Sequence, residues 1–131
     1  MISEIDKFVC RRNDDETLTL IVNDEAVSER LIGRQIEAQY LIGDKYLLIL
    51  QADQTKIVAY VMDTDIRIID EQVIGHWYFD SLFEDVKIIQ PNAVQFTFGT
   101  TGTIEVSEEP ISKGIFGKKR YLICSGLPIE I

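Results

Sequence analysis

Hydrophobic and polar positions along this chain alternate in short runs between polar turns, a rhythm that predicts strands rather than helices. Residues 34–42 alternate polar and apolar, as a half-buried strand should. A Gly43-Asp44 turn follows, then Lys45-Tyr46-Leu47-Leu48-Ile49-Leu50-Gln51, which is apolar on both faces. Asp53-Gln54-Thr55 turns again into residues 56–62, also apolar on both faces. Three strands joined by short turns predict an antiparallel meander, and the last two need cover from elsewhere in the chain.

Ahead of the meander, residues 7–11 and 17–22 read as strands, with Arg12 to Glu16 as the polar loop between them. Asn23 to Gly33 supports two readings. As a helix it has an Asn23 cap, acids in its first turn and Gly33 just past its end, but Val27 and Leu31 give it only a thin apolar stripe. As a hairpin, Asn23-Asp24 is the turn and the return strand buries the same two residues; the hairpin is preferred. Beyond the meander, strands are expected at 66–70, 86–89, 93–99, 103–106 and 121–124. Turns are expected at Pro91-Asn92, at Thr100 to Gly102 and at Ser107 to Pro110, with a loop over Gly114 to Arg120. His76 to Asp85 fits no strand period and reads as a connection folding its rings over an open end of the sheet.

About ten short strands with no βα alternation imply a mainly β fold, with little or no helix. The expected architecture is an antiparallel meander forming a strongly curved sheet, or a partly closed barrel or sandwich. No repeat, low-complexity tract or linker divides the 131 residues, so one β-domain over 1–131 is expected.

A net charge of −9 disfavours nucleic acid and anionic membranes, which are bound through Lys and Arg, and favours a basic partner. Residues 1–6 lack the basic region and apolar run of a signal peptide, and no run is long enough to span a bilayer; a cytoplasmic location is expected. Cys10 and Cys124 then read as reduced core residues.

Candidate chemistry is sparse, and no catalytic residue, metal site or cofactor is expected. His76 is the single histidine, and nothing local places it beside a nucleophile. Gly114-Ile115-Phe116-Gly117-Lys118-Lys119-Arg120 lacks the spacing, the Ser or Thr, and the helix of a phosphate loop. Asp63, Asp65, Asp70 and Glu71 gather near the end of the meander. They lack the glycine and terminal glutamate of a calcium loop, and read first as turn residues bonding nearby amides. The acidic run Asp14-Asp15-Glu16 lies close in sequence to Asp24 and Glu25; if the flanking strands pair, all five gather at one edge of the sheet. Together these nine acids form a candidate surface for a basic partner, with Trp77 and Tyr78 as aromatic anchors.

The segments 36–40, 46–50, 61–63 with 69–71, and 94–99 resemble small acidic bacterial β-proteins of the toxin-immunity type. The resemblance covers the hydrophobic pattern over roughly residues 31–106 and transfers no functional residue. It implies a non-enzymatic module that neutralises a basic toxin domain by occluding it. The alternative is a β-barrel binding a small apolar ligand, with Phe79, Phe83, Phe96 and Phe98 at its mouth.

Overall fold

The computed structural model describes residues 1–75, 80–113 and 118–129. No helix occurs among them; they form twelve strands in three antiparallel sheets. The central sheet contains β1 (Ile2–Glu4), β5 (Gln35–Ile42), β6 (Lys45–Gln51), β7 (Lys56–Met62) and β8 (Ile68–Gly75), in the order β1-β5-β6-β7-β8. An N-terminal sheet is the simple meander β2 (Val9–Arg12), β3 (Thr17–Val22) and β4 (Glu25–Ile32). A C-terminal sheet holds β9 (Glu84–Ile89), β10 (Ala93–Phe98), β11 (Thr100–Lys113) and β12 (Lys118–Ser125), in the order β12-β11-β10-β9.

The doubly apolar strands explain how the sheets stack. Side chains along a strand point alternately to its two faces. Leu48 and Leu50 of β6, with Val58, Tyr60 and Met62 of β7, pack against Phe8, Leu18, Leu20 and Leu31 of the N-terminal segment. Leu47, Ile49, Ile57, Ala59 and Val61 pack the opposite way, against Val94, Phe96, Phe98, Ile104, Val106 and Leu122. The result is three layers with two hydrophobic cores, one on each side of the central sheet. Full burial of each such Leu, Ile or Val contributes roughly 1.5–3 kcal/mol, so both covers are needed. The sheets do not close into a barrel; the sandwich is the form the curved sheet takes.

Side chains bridge the seams between layers where a strand is missing. Gln39 of β5 accepts from the amides of Lys7 and Phe8, both at 2.9 Å, and its Nε2 donates to the Phe8 carbonyl at 3.0 Å. Gln90 does the same for β1: Oε1 accepts from Ile2 N at 3.2 Å and Nε2 donates to Ile2 O at 3.0 Å. Asp70, 3% exposed, joins β8 to β12: Oδ2 accepts from the amides of Tyr121 and Leu122 at 2.8 and 3.0 Å. Its Oδ1 accepts from Glu71 N at 2.8 Å and lies 2.8 Å from Arg120 Nε. That last contact is an attraction of charges rather than an aligned hydrogen bond, since Nε has no aligned acceptor. Further along the same seam Gly75 N donates to Pro128 O at 2.7 Å. A Cβ at Gly75 would stand 2.0 Å from the Thr55 carbonyl oxygen, so only glycine lets β8 run this close to the preceding turn.

Asn23 and Asp24 take left-handed conformations (φ 52° and 65°), closing the expected two-residue hairpin between β3 and β4. Two other turns fall elsewhere. Phe98 pairs directly with Thr100, so the chain reverses at Gly99 (φ 78°) rather than over Thr100 to Gly102. Ser107 to Pro110 lies inside β11, where the register with β12 shifts between Val106 and Ile111. There the polar run marks an irregularity in a long strand and not its end. Cys10 and Cys124 lie in the two outer layers, on opposite sides of the central sheet, and no disulfide joins them. The expected loop at Gly114 to Arg120 is partly outside the described residues; from Lys118 onward the backbone belongs to β12.

Two predictions follow from this packing. Asp70→Ala leaves three amides without their acceptor and Arg120 Nε without its counter-charge, and should cost about 3–5 kcal/mol in urea unfolding, whereas Asp65→Ala should cost little. Equal midpoints for the two variants would refute the seam. Second, burial first, and Glu4 second, push the Tyr40 phenol up from 10.0 to about 12. The folded chain therefore holds this proton more tightly than the unfolded one. Stability should be untouched by this group below pH 10 and should fall as pH rises from 10 towards 12. Tyr40→Phe should flatten that decline, and an identical alkaline profile for the variant would remove Tyr40 as its cause.

Candidate functional site

The nine acids singled out from the sequence separate in the fold. Asp14, Asp15 and Glu16 sit in the β2–β3 turn and are exposed. Asp15 accepts from the Thr17 hydroxyl at 2.6 Å and the Thr17 amide at 3.2 Å, and lies 3.4 Å from Arg30. Those partners, the Thr17 hydroxyl foremost, hold its carboxyl below the ordinary carboxylate range. Asp24 sits in the β3–β4 turn and Glu25 opens β4 beside it. Because the strands are antiparallel, the two turns lie at opposite ends of β3, on the order of 20 Å apart. The expectation that all five acids gather at one edge is not met, although the flanking strands do pair.

Asp63 is a turn residue, as expected: its carboxylate accepts from the amides of Asp65 and Arg67 at 3.0 and 3.1 Å. Asp65 is exposed beside it. Asp70 and Glu71 are neighbours in sequence but face opposite layers. Asp70 is internal and spent on the β8–β12 seam, so it does not belong to an exposed acidic surface. Glu71 is exposed. Trp77 and Tyr78, with His76 and Phe79, lie outside the described residues. Phe96 and Phe98 are buried, and Phe83 packs on Phe96 with ring centroids 4.8 Å apart. These rings fill the C-terminal core and do not line a barrel mouth.

What the fold does bring together is Glu16 and Glu71, across two layers. Both line a cleft of about 430 Å³ between the end of β4 and strands β7 and β8 of the central sheet. Its floor is Val58 and Tyr60 of β7 and Val73 of β8. Asp53 joins the two glutamates on the rim, with Arg34 and Lys56 as the cations. Burial raises the Asp53 carboxyl, but the Thr55 hydroxyl and amide, together with Lys56, outweigh it and hold the group below its ordinary range. The Tyr60 hydroxyl reaches out of β7 to accept from Ile32 N at 2.9 Å. Burial pushes its phenol up, the Ile32 amide opposes that, and the Glu71 charge adds to it. Tyr60 thus stays neutral and serves as a fixed acceptor beneath the end of β4.

Asp53, Arg34 and Lys56 escaped notice in the sequence because each reads as an ordinary polar residue at a strand end or turn. No spacing links positions 16, 34, 53 and 71; only the stacking of two sheets does. A second concavity, about 500 Å³, lies between the β5–β6 turn and the irregular part of β11. Its single cationic side chain, Lys45, is committed to Asp44 at 2.9 Å and to the Glu108 carbonyl at 3.0 Å, under exposed Asp44, Glu108 and Glu109. Among the described residues no three His, Cys, Asp or Glu side chains are grouped to hold a metal ion, and no helix is long and apolar enough to cross a membrane. In comparisons with known proteins, no protein family, curated protein or solved structure matches this chain.

Proposed function

We propose that this chain is a non-enzymatic protein-binding module that occludes a basic partner, in the manner of a cytoplasmic immunity protein neutralising a cationic bacterial toxin domain. The observation that carries the reading is where the carboxylates lie. With a net charge of −9, the chain projects Asp14, Glu16, Asp24, Asp65 and Glu71 from several turns and an edge strand of a layered sandwich. A net negative field of this kind steers a cationic protein into encounter and suppresses acidic competitors. Preformed strands help as well, because they lose little entropy on docking. Less supports the apolar-ligand alternative: the sheets do not close, and Phe96 and Phe98 are core residues with Phe83 packed on Phe96.

The test is binding to the product of the adjacent gene, expected to be a basic protein, measured by calorimetry across a salt series. Affinity should fall steeply with added salt, and Glu16→Lys with Glu71→Lys should together weaken it by about tenfold or more, as charge pairs at such interfaces do. Co-expression should also relieve any toxicity of the neighbour. Binding that is absent, or indifferent to both salt and charge reversal, would overturn the proposal.

A further inference from the structure

The N-terminal sheet is narrower than the sheet it covers. Three strands lie over five, and the shortfall falls on the β8 side, where Val73 is half-buried and Glu71 exposed. β4 is the edge beside this gap. It pairs with β3 and with no other strand among the described residues, and Ile32 at its end is 59% exposed. The amide of Gly33 turns toward β3, donating to Glu16 O at 3.3 Å. Amides alternate in direction along an antiparallel strand, so those of Ile32 and Arg30 turn away from β3. Ile32 N indeed meets Tyr60. The register with β3 is irregular across residues 27–29 but regular from Arg30 to Ile32, next to the cleft.

We infer that this edge receives an extended strand of the partner, which adds to β4 as a fourth strand of the N-terminal sheet and lies over β8. The inference rests on the basic-partner reading above and gives that partner a docking site. Strand addition supplies backbone hydrogen bonds for affinity and pockets for alternate side chains for selectivity. Here the inward positions of the incoming strand, two residues apart, match Val73 and Glu71, which are also two apart on β8. One takes an apolar side chain over the half-buried Val73. The next takes a cation opposite Glu71, on a rim where the three carboxylates of Glu16, Asp53 and Glu71 outnumber the two cations, Arg34 and Lys56. The irregular register over residues 27–29 blunts the first part of this edge, whereas Arg30 to Ile32, beside the half-buried Val73, carries no proline or bulge.

The test uses the whole chain, labelled for NMR, and a short capped peptide alternating lysine with valine. The peptide should slow hydrogen exchange of the Arg30 amide by roughly tenfold or more, as pairing at a strand edge does. It should also move the resonances of Glu71 and Val73. Methylating one alternate set of its backbone nitrogens should abolish the effect, methylating the other set should not, and Glu71→Lys should weaken binding. Peptide-induced shifts confined to the turns at Asp24 and Asp65, with Arg30 unprotected, would overturn strand addition while leaving the basic-partner reading intact. Equal protection by a glutamate–valine peptide would uphold the edge and overturn the basic partner. Indifference to both methylation patterns would overturn the strand pairing itself.

Discussion

Two strands in the middle of this chain cannot face water on either side, and that constraint organises everything around them. β6 and β7 present buried Leu, Ile, Val, Tyr and Met side chains alternately to two layers. A two-layer sandwich would satisfy only half of them. The chain solves this by folding its N-terminal meander onto one face and its last four strands onto the other. Neither cover is large, and neither has a core apart from the central sheet. Each is stable because the double-faced strands give it something to bury against.

Stacking separate sheets leaves edges, and edges carry unpaired backbone groups. Here long-range polar side chains take the place of missing strands. Gln39 and Gln90 each offer an amide whose oxygen and nitrogen match one residue's N–H and C=O. Asp70 offers two oxygens to three amides and a guanidinium. A buried carboxylate is costly unless its lone pairs are filled, and this one has them filled from both strands that it joins. It fixes how far β12 slides along β8, a point that apolar packing alone would leave loose.

The strands themselves were legible because a period of two survives in a single sequence. The doubly apolar runs announced a central sheet, and Asn23-Asp24 announced its hairpin through the left-handed tolerance of those residues. Sandwich against barrel was not legible, since closure is decided by which edges meet. Asp70 looked like any carboxylate near a turn; its partners lie some 51 positions later. Ser107 to Pro110 carried turn residues into the middle of a strand, because an irregular register absorbs what a turn would otherwise require. The cleft was the least legible of all. Its rim draws on Glu16, Arg34, Asp53 and Glu71, four segments with no common motif, and only the offset between a three-stranded and a five-stranded layer brings them together.

The two covers also reach the central sheet at different moments during synthesis. A ribosome delivers β2 to β4 first, so the face bearing Leu48, Leu50 and Tyr60 finds its lid as soon as β6 and β7 emerge. The other face, with Leu47, Ile49 and Val61, must wait until the chain has been extended through β9 to β12. For that interval the nascent chain carries a wide oily plate with unsatisfied edges, the kind of surface that chaperones hold and that aggregates nucleate on. A stalled or nicked product ending near Asp80 would be the dangerous species, and quality control has its shortest margin there.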